Sequence, residues 1–128
     1  SVETGKERTT VKQMVAACMR NDSLLLRLLT NPKVYGTSGI VERIVRQSRS
    51  LLILSTIARD PSLHSGQANS GVVLELLKNP VSIPLTVLRP LINVRYTRLA
   101  DLRIFVRNGT SYRREVVAEV EEYLRRRG

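Results

Sequence analysis

Residues with the chemistry of a nucleophile or a general base are few in this sequence. His64 is the single histidine, and Ser65 follows it directly in a segment of small and polar residues. A serine nucleophile needs a base held against its hydroxyl and a rigid turn such as the strand-supported G-x-S-x-G elbow, and neither pattern surrounds Ser65. The sequence therefore favours a surface loop at these two residues and predicts no catalytic residue.

Cys18 is the single cysteine of the chain. One cysteine forms no internal disulfide and cannot supply the thiolates of an iron–sulfur cluster or a cysteine metal site. It falls on the apolar stripe of the first predicted helix, where we expect a buried and inert thiol. We predict no cofactor and no metal, and this cysteine content fits a reducing, cytoplasmic location.

Carboxylate pairs near the C-terminus could do acid–base chemistry if they shared a cavity. Glu115 and Glu119 have the spacing of one helical turn. Glu122, however, precedes Arg126 by four positions, which is the spacing of ion pairs on a helix surface. We predict a salt-bridged surface here. With no glycine-rich phosphate loop elsewhere, the sequence predicts a protein that is not an enzyme.

Basic residues supply the most distinctive chemistry. The 128-residue chain has 21 Lys plus Arg against 11 Asp plus Glu, a formal net charge of +10, and 17 of the 21 are arginine. The guanidinium group is a planar fork of donors with weak hydration, which suits carboxylate and phosphate partners. The composition therefore points to anionic partners, without naming one.

Cations recur near the ends of predicted helices. Two sets do so: Arg59, Lys78 and Arg107 in last turns, and Arg43, Arg46 and Arg49 near one helix end. A cation in the last turn offsets the exposed carbonyl dipoles of the helix. Because this position recurs, stacking of the helices would bring the first set onto one edge as a basic ridge. In the second set, Glu42 can pair with Arg46.

Arginine is densest between residues 95 and 114, where Asp101 is the single acid and aromatic residues are interleaved. The arginines are Arg95, Arg98, Arg103, Arg107, Arg113 and Arg114. Arginine beside aromatic rings is typical of a surface that tracks phosphates and stacks bases, and equally of a protein-interface hot spot. We assign Tyr112 to this surface and Phe105 to the core.

Apolar spacing and stop signals predict the elements that carry these residues. Residues 1–9 lack an apolar period and are predicted to be a flexible lead, followed by one domain over 10–128. Apolar residues recur at spacings of three and four, and no period-2 alternation is bounded by hairpin turns. The predicted class is all-α with seven or eight helices, over 10–20, 22–29, 40–47, 51–59, 72–78, 84–92, 98–107 and 111–127. No apolar run approaches the roughly 20 residues of a membrane span.

Four stop signals share the order apolar, apolar or small, polar, Asn or Asp, Pro or Gly. They end at Pro32, Pro61, Pro80 and Gly109, so that their sequence numbers differ by 29, 19 and 29. An apolar pair begins seven or eight positions after three of them, whereas the loop 62–69 is expected to replace the return helix of the second unit. The pattern predicts stacked helical hairpins, because one hairpin cannot bury its apolar face alone.

Residues 76–84, Leu-Leu-Lys-Asn-Pro-Val-Ser-Ile-Pro, and residues 57–61 carry an Asn/Asp-Pro signature. This signature resembles that of the leucine-rich repeat variant and of related HEAT-like repeats. The resemblance covers most of residues 22–127. It implies a right-handed α-solenoid of stacked short helical hairpins, in a group known for binding rather than for one shared chemistry.

We therefore predict a non-enzymatic helical-repeat module that docks an acidic protein partner through its basic surface. Nucleic-acid binding by the same residues is the alternative, and a merely solubilising surface is a third explanation. The predicted partner-binding residues are Arg59, Lys78, Arg95, Arg98, Arg103, Arg107, Tyr112, Arg113 and Arg114. A short solenoid has two exposed ends, which leaves a homo-oligomer open.

Overall fold

The computed structural model describes residues 5–127, in which the regular elements are all helical and no strand is present. The ten α-helices are α1 Gly5–Cys18, α2 Asp22–Leu28, α3 Pro32–Tyr35, α4 Ile40–Gln47, α5 Leu51–Arg59, α6 Pro61–His64, α7 Val72–Lys78, α8 Leu85–Leu88, α9 Leu99–Arg107 and α10 Arg114–Arg127. Three 3-10 turns lie at Gln67–Asn69, Arg89–Leu91 and Gly109–Ser111. The all-α class is confirmed. The helices outnumber the predicted seven or eight because the one-turn helices α3 and α6 follow Asn/Asp-Pro stops.

Each of these stops ends one helix and begins the next. The Asn31 Oδ1 atom accepts a hydrogen bond from the Lys33 N–H at 3.0 Å, and the Asp60 Oδ1 atom accepts one from the Ser62 N–H at 3.0 Å. The proline after each cap takes the first helical position, where no N–H donor is needed. The loop predicted over 62–69 is therefore wrong for residues 62–64, because the capped turn makes them helical.

Helix α1 begins at Gly5, earlier than the sequence predicts. The Thr9 hydroxyl donates to the Gly5 carbonyl oxygen at 2.9 Å inside this helix. Residues 5–9 therefore belong to a helix, which corrects the flexible lead predicted over 1–9. Residues 1–4 of that lead, and Gly128 at the other end of the predicted domain, lie outside the described residues.

Six of the described helices pack in two rows. In the first row α2 packs on α5 and α5 packs on α8; in the second row α4 packs on α7 and α7 packs on α9. The chain alternates between the two rows. We call one pass the stretch of chain that contributes one helix to the first row and then one helix to the second. Helix α1 packs on α2 at one end, and α10 packs on α9 at the other.

Equivalent positions recur once in each pass, at a constant difference of 29 in sequence number. The prolines at the end of the first-row segments keep this interval: Pro32, Pro61 and Pro90. Two sets of buried apolar residues keep it as well: Leu25, Leu54 and Ile83, and Val34, Leu63 and Ile92. The passes therefore cover residues 22–50, 51–79 and 80–108. The shorter interval predicted between Pro61 and Pro80 arises because the first stop ends a first-row helix and the second ends a second-row helix.

The side chain of Asn79 joins two of these passes. It is 3% exposed. Its Nδ2 atom donates to the carbonyl oxygens of Val45 at 2.9 Å and Ser48 at 3.1 Å, and its Oδ1 atom accepts from the Val81 N–H at 2.9 Å. Carbonyls at a helix C-terminus lack intrahelical donors. Asn79 supplies donors to the end of α4 while it ends α7.

Candidate binding surface

His64 belongs to the core, which contradicts the surface loop predicted for it. It is 3% exposed, and its Nδ1 atom lies 2.9 Å from the Ile57 carbonyl oxygen. Its ring packs edge to face on Tyr96, with 5.3 Å between centroids. The one-turn helix α6 turns this side chain inward. The neighbouring Ser65 hydroxyl donates to the Pro61 carbonyl oxygen at 2.5 Å, so this serine is bonded to backbone rather than to the histidine.

The carboxylates that could serve as an acid–base pair are each bound to an arginine. Glu119 accepts two hydrogen bonds from Arg89, at 2.8 and 3.1 Å. These bonds lower the pKa of Glu119 below its ordinary value. The pKa of Glu115 is also lowered, first by a backbone N–H at the start of α10 and then by Arg113 at 2.9 Å. Both groups are ionised at neutral pH and cannot donate a proton there.

The C-terminal helix carries the predicted salt-bridged surface. Glu122 contacts Arg126 at 3.5 Å, as its spacing predicts, and it also contacts Arg125. Cys18 is half-buried at the end of α1, which makes it less buried than predicted. Within residues 5–127, no three His, Cys, Asp or Glu side chains are grouped closely enough to hold a metal ion.

Arg113, one of the nine predicted binding residues, holds the fold together. Its side chain is 13% exposed. Its Nη1 atom donates to the carbonyl oxygens of Val81 and Ile83, both at 3.0 Å, while its Nε atom donates to Glu115. The guanidinium group therefore fixes the start of α10 to the segment that follows Asn79. This contact, rather than a partner, takes up most of its donors.

Two more of the predicted residues have partners within the molecule. The Tyr112 ring stacks on Phe105, with centroids 4.7 Å apart and planes 10° apart. Phe105 is 1% exposed, which confirms its place in the core. Arg98 pairs with Asp101 at 3.2 Å on an exposed surface. Tyr112 is thus already stacked on a core ring.

Six predicted cations have no ion-pair partner among the described residues: Arg59, Lys78, Arg95, Arg103, Arg107 and Arg114. Lys78 is half-buried and the five arginines are exposed. Arg103 and Arg107 are one helical turn apart on α9, and Arg114 begins α10. Since their charges are not neutralised within the described structure, these are the cations available to an anionic partner.

Helices α9 and α10 enclose a groove of about 650 Å³ that brings Arg107 and Arg114 together. Apolar groups share the groove, which is also lined by Val106, Tyr112, Val117, Ala118 and Glu121. Gly109 makes the close approach possible, because a Cβ atom there would lie 2.9 Å from a methyl of Val117. The groove thus combines two cations and one acid with apolar surface.

A second, smaller groove of about 160 Å³ lies between α4 and α7. Lys78 lines it together with Arg46 and Arg49. Glu75 also lines it, and its carboxylate lies 3.5 Å from the Arg46 guanidinium. One acid against three cations leaves this groove basic. Sequence reasoning left Arg46 and Arg49 out of the predicted binding set.

The predicted ridge of Arg59, Lys78 and Arg107 is not formed as one continuous groove. Arg59 ends α5, in the first row of helices, and lines a separate groove of about 310 Å³ with Thr86. Lys78 and Arg107 end α7 and α9, in the second row. The ends of helices in different rows look alike in sequence, which is why the prediction merged them.

Arg95 and Arg98 line a further groove of about 650 Å³, in which their charges are balanced. Glu42 and Asp101 line the same groove. The Arg95 guanidinium also lies 5.5 Å from the centre of the Tyr96 ring, within the range of a cation–π contact. This groove is less suited to an anionic partner than the two described above.

Comparison with protein-family models, curated proteins and solved structures finds no match for this chain. None of the helices in residues 5–127 is both long enough and apolar enough to cross a membrane.

Proposed function

We propose that this chain is a short, right-handed helical-repeat module of the HEAT-like or leucine-rich-repeat-variant kind, which docks an acidic protein partner and catalyses no reaction. The two rows of packed helices and the constant sequence interval between equivalent buried residues support the repeat architecture. Units of this kind bury their apolar faces against neighbours and present an extended surface for binding.

The observation that carries the proposed function is the groove between α9 and α10. Arg107 and Arg114 line it without acidic partners among the described residues, beside the apolar side chains of Val106 and Val117. Cations beside apolar surface are complementary to a segment in which carboxylates alternate with apolar residues. Arg103, one turn before Arg107, extends the positive surface along α9.

Nucleic-acid binding through the same cations is the second candidate, and the net charge of +10 supports it. Aromatic rings that would stack on single-stranded bases are engaged within the fold. Tyr112 stacks on Phe105, and Tyr96 packs on His64. Because these two rings near the arginines already pack on other rings, the surface depends more on phosphate contacts than on base stacking, which favours an acidic protein over a single-stranded nucleic acid.

Direct titration distinguishes the two. The probes are a fluorescent polyglutamate, a single-stranded RNA and a duplex DNA of matched charge, each at about 150 mM NaCl. We expect polyglutamate to bind, and the double reversal Arg107→Glu/Arg114→Glu to weaken it about tenfold. Affinity for RNA or DNA without affinity for polyglutamate would replace the protein-docking proposal with the nucleic-acid one.

A matched control separates the groove from net charge. Arg20→Glu/Lys33→Glu makes the same change in charge at exposed residues that have no ion-pair partner among the described residues. We expect this variant to bind polyglutamate within about twofold of the unmodified protein. Equal losses in both double variants would show non-specific attraction and would refute a docking groove.

A further inference from the structure

A set of cations keeps the same sequence interval as the buried residues and the prolines. The set is Arg49, Lys78 and Arg107, here called the basic edge. Arg49 lies just after α4, and the other two are the last residues of α7 and α9. Each therefore marks the C-terminal end of one second-row helix, and these helices pack in the order α4, α7, α9.

The first two cations of the basic edge line one groove, the one between α4 and α7. Arg49 uses its Nη1 atom to donate to the carbonyl oxygens of Arg46 and Ser48, at 3.0 and 2.8 Å. Those bonds hold the guanidinium at the helix end and leave its other nitrogens for a ligand. Glu75 is the acid in this groove, and its carboxylate lies beside Arg46.

The segment after Lys78 connects this groove to the one between α9 and α10. Pro80 lines the first groove, and Val81 follows it. The Val81 carbonyl oxygen accepts a hydrogen bond from Arg113, and Arg114 lines the second groove together with Arg107. Val81 follows Pro80 and Arg113 precedes Arg114, so this hydrogen bond brings the linings of the two basic grooves close together.

We propose that the basic edge binds an extended acidic polypeptide segment that carries a carboxylate at every third residue. This inference rests on the proposed function and adds the form of the ligand. Packed helices have axes about 8–10 Å apart, which sets the distance between equivalent positions on α4, α7 and α9. Three residues of polyproline II helix rise about 9 Å and return to the same face. One carboxylate per turn then meets one cation per pass.

Two peptides of identical composition test the spacing. The first repeats Glu-Pro-Pro over about 15 residues, and the second places all its glutamates in one block between proline blocks. The block peptide has the higher local charge density. Attraction by charge alone therefore favours it, whereas the basic edge favours the periodic peptide. We expect the periodic peptide to bind at least about fivefold more tightly.

Variants of the edge test the residues. Arg49→Glu/Lys78→Glu is expected to weaken the periodic peptide about tenfold, and Arg20→Glu/Lys33→Glu to change its affinity less than about twofold. Because Arg49 also bonds the end of α4, Arg49→Gln/Lys78→Gln is measured as well, and circular dichroism checks the fold of each variant. The neutral pair is expected to weaken binding about threefold.

The outcomes separate the inference from the proposed function. Equal binding of the two peptides, or an unchanged affinity in both Arg49/Lys78 variants, overturns the basic edge as the site. If polyglutamate still binds through Arg107 and Arg114, the proposed function stands. Failure of both the peptides and polyglutamate overturns both. Displacement of the periodic peptide by single-stranded RNA with tighter affinity would assign the edge to nucleic acid instead.

Discussion

The carboxamide of Asn79 donates a hydrogen bond to the carbonyl oxygen of Val45, 34 residues earlier in the chain, at 2.9 Å. Asparagine at this position is expected only to end its own helix, α7. In the structure, Asn79 also caps the end of α4. Because both groups are buried, loss of the donor leaves carbonyl oxygens without partners and without water. This bond connects two second-row helices that the sequence separates.

Replacement of Asn79 by alanine should therefore destabilise the protein strongly. We expect Asn79→Ala to lower the free energy of unfolding by about 2–4 kcal/mol, measured by urea denaturation. Asn108→Ala is the matched control, because Asn108 holds the equivalent position in the next pass, is exposed and makes no side-chain cap bond. Its effect should stay within about 0.5 kcal/mol. Similar losses in the two variants would contradict the role assigned to Asn79.

Arg113 and Arg114 are neighbours with opposite predicted behaviour. Arg113→Ala removes bonds to the carbonyl oxygens of Val81 and Ile83 and should lower the free energy of unfolding by about 1.5–3 kcal/mol. Arg114→Ala should leave stability within about 0.5 kcal/mol and weaken polyglutamate binding. Urea denaturation and titration of both variants test the contrast. If Arg113→Ala is stable but no longer binds polyglutamate, Arg113 is a binding residue rather than a structural one.

The Arg89–Glu119 pair predicts an acid-dependent part of stability. The hydrogen bond from Arg89 lowers the pKa of Glu119 in the folded protein. A carboxyl whose folded pKa lies below its unfolded value, about 4.3, stabilises the fold above that value. The stabilisation is lost as the pH falls through the folded pKa.

The variant Arg89→Gln isolates this term. Its deficit in unfolding free energy relative to the unmodified protein should be present at pH 7 and should shrink as the pH falls below about 4. The pair is exposed at the arginine, so the deficit should be small, and high salt should reduce it. Unfolding curves across this range measure the difference. A deficit that is constant with pH would show that Glu119 is not the partner.

Gly39 holds a backbone conformation that other residues adopt at a cost. Its φ is 81°, and it immediately precedes α4. Gly39→Ala should lower the free energy of unfolding by about 1–2 kcal/mol, and Gly39→Asn by less, since asparagine tolerates the left-handed region. Gly5→Ala is the control, because a Cβ there contacts nothing within 4 Å. If Gly39→Ala leaves the free energy of unfolding unchanged, the positive φ assigned to Gly39 is wrong.

Local signals predicted the helix class and most helix ends. Asn31 and Asp60 cap helices by bonding to residues two positions away. The local sequence is therefore enough to predict where these helices begin. The burial of His64 depends on contact with Tyr96, far along the chain, and the role of Arg113 depends on the carbonyl oxygen of Val81. A local sequence pattern does not predict contacts between distant residues. The predictions for His64 and Arg113 were wrong for this reason.

The site was predictable in part for a similar reason. The density of arginine around Arg107 and Arg114 pointed to the groove between α9 and α10. Arg49 lies near a helix end in the sequence, but it is absent from the predicted binding set because Glu42 can pair with Arg46 in the same group. Its signal is nonetheless present in the sequence, since the regular spacing of the three prolines also places Arg49 with Lys78 and Arg107.

The equal spacing of Leu25, Leu54 and Ile83 constrains how the length of the chain can change. Removing or duplicating one whole pass would preserve which side chains meet across the interior, whereas a shorter deletion inside a helix would turn polar side chains of that helix toward the interior. Relatives that differ by whole passes would then keep the same interior contacts and differ only in the length of the basic edge. Evolution could therefore lengthen the surface of this protein in fixed steps, without redesigning its interior.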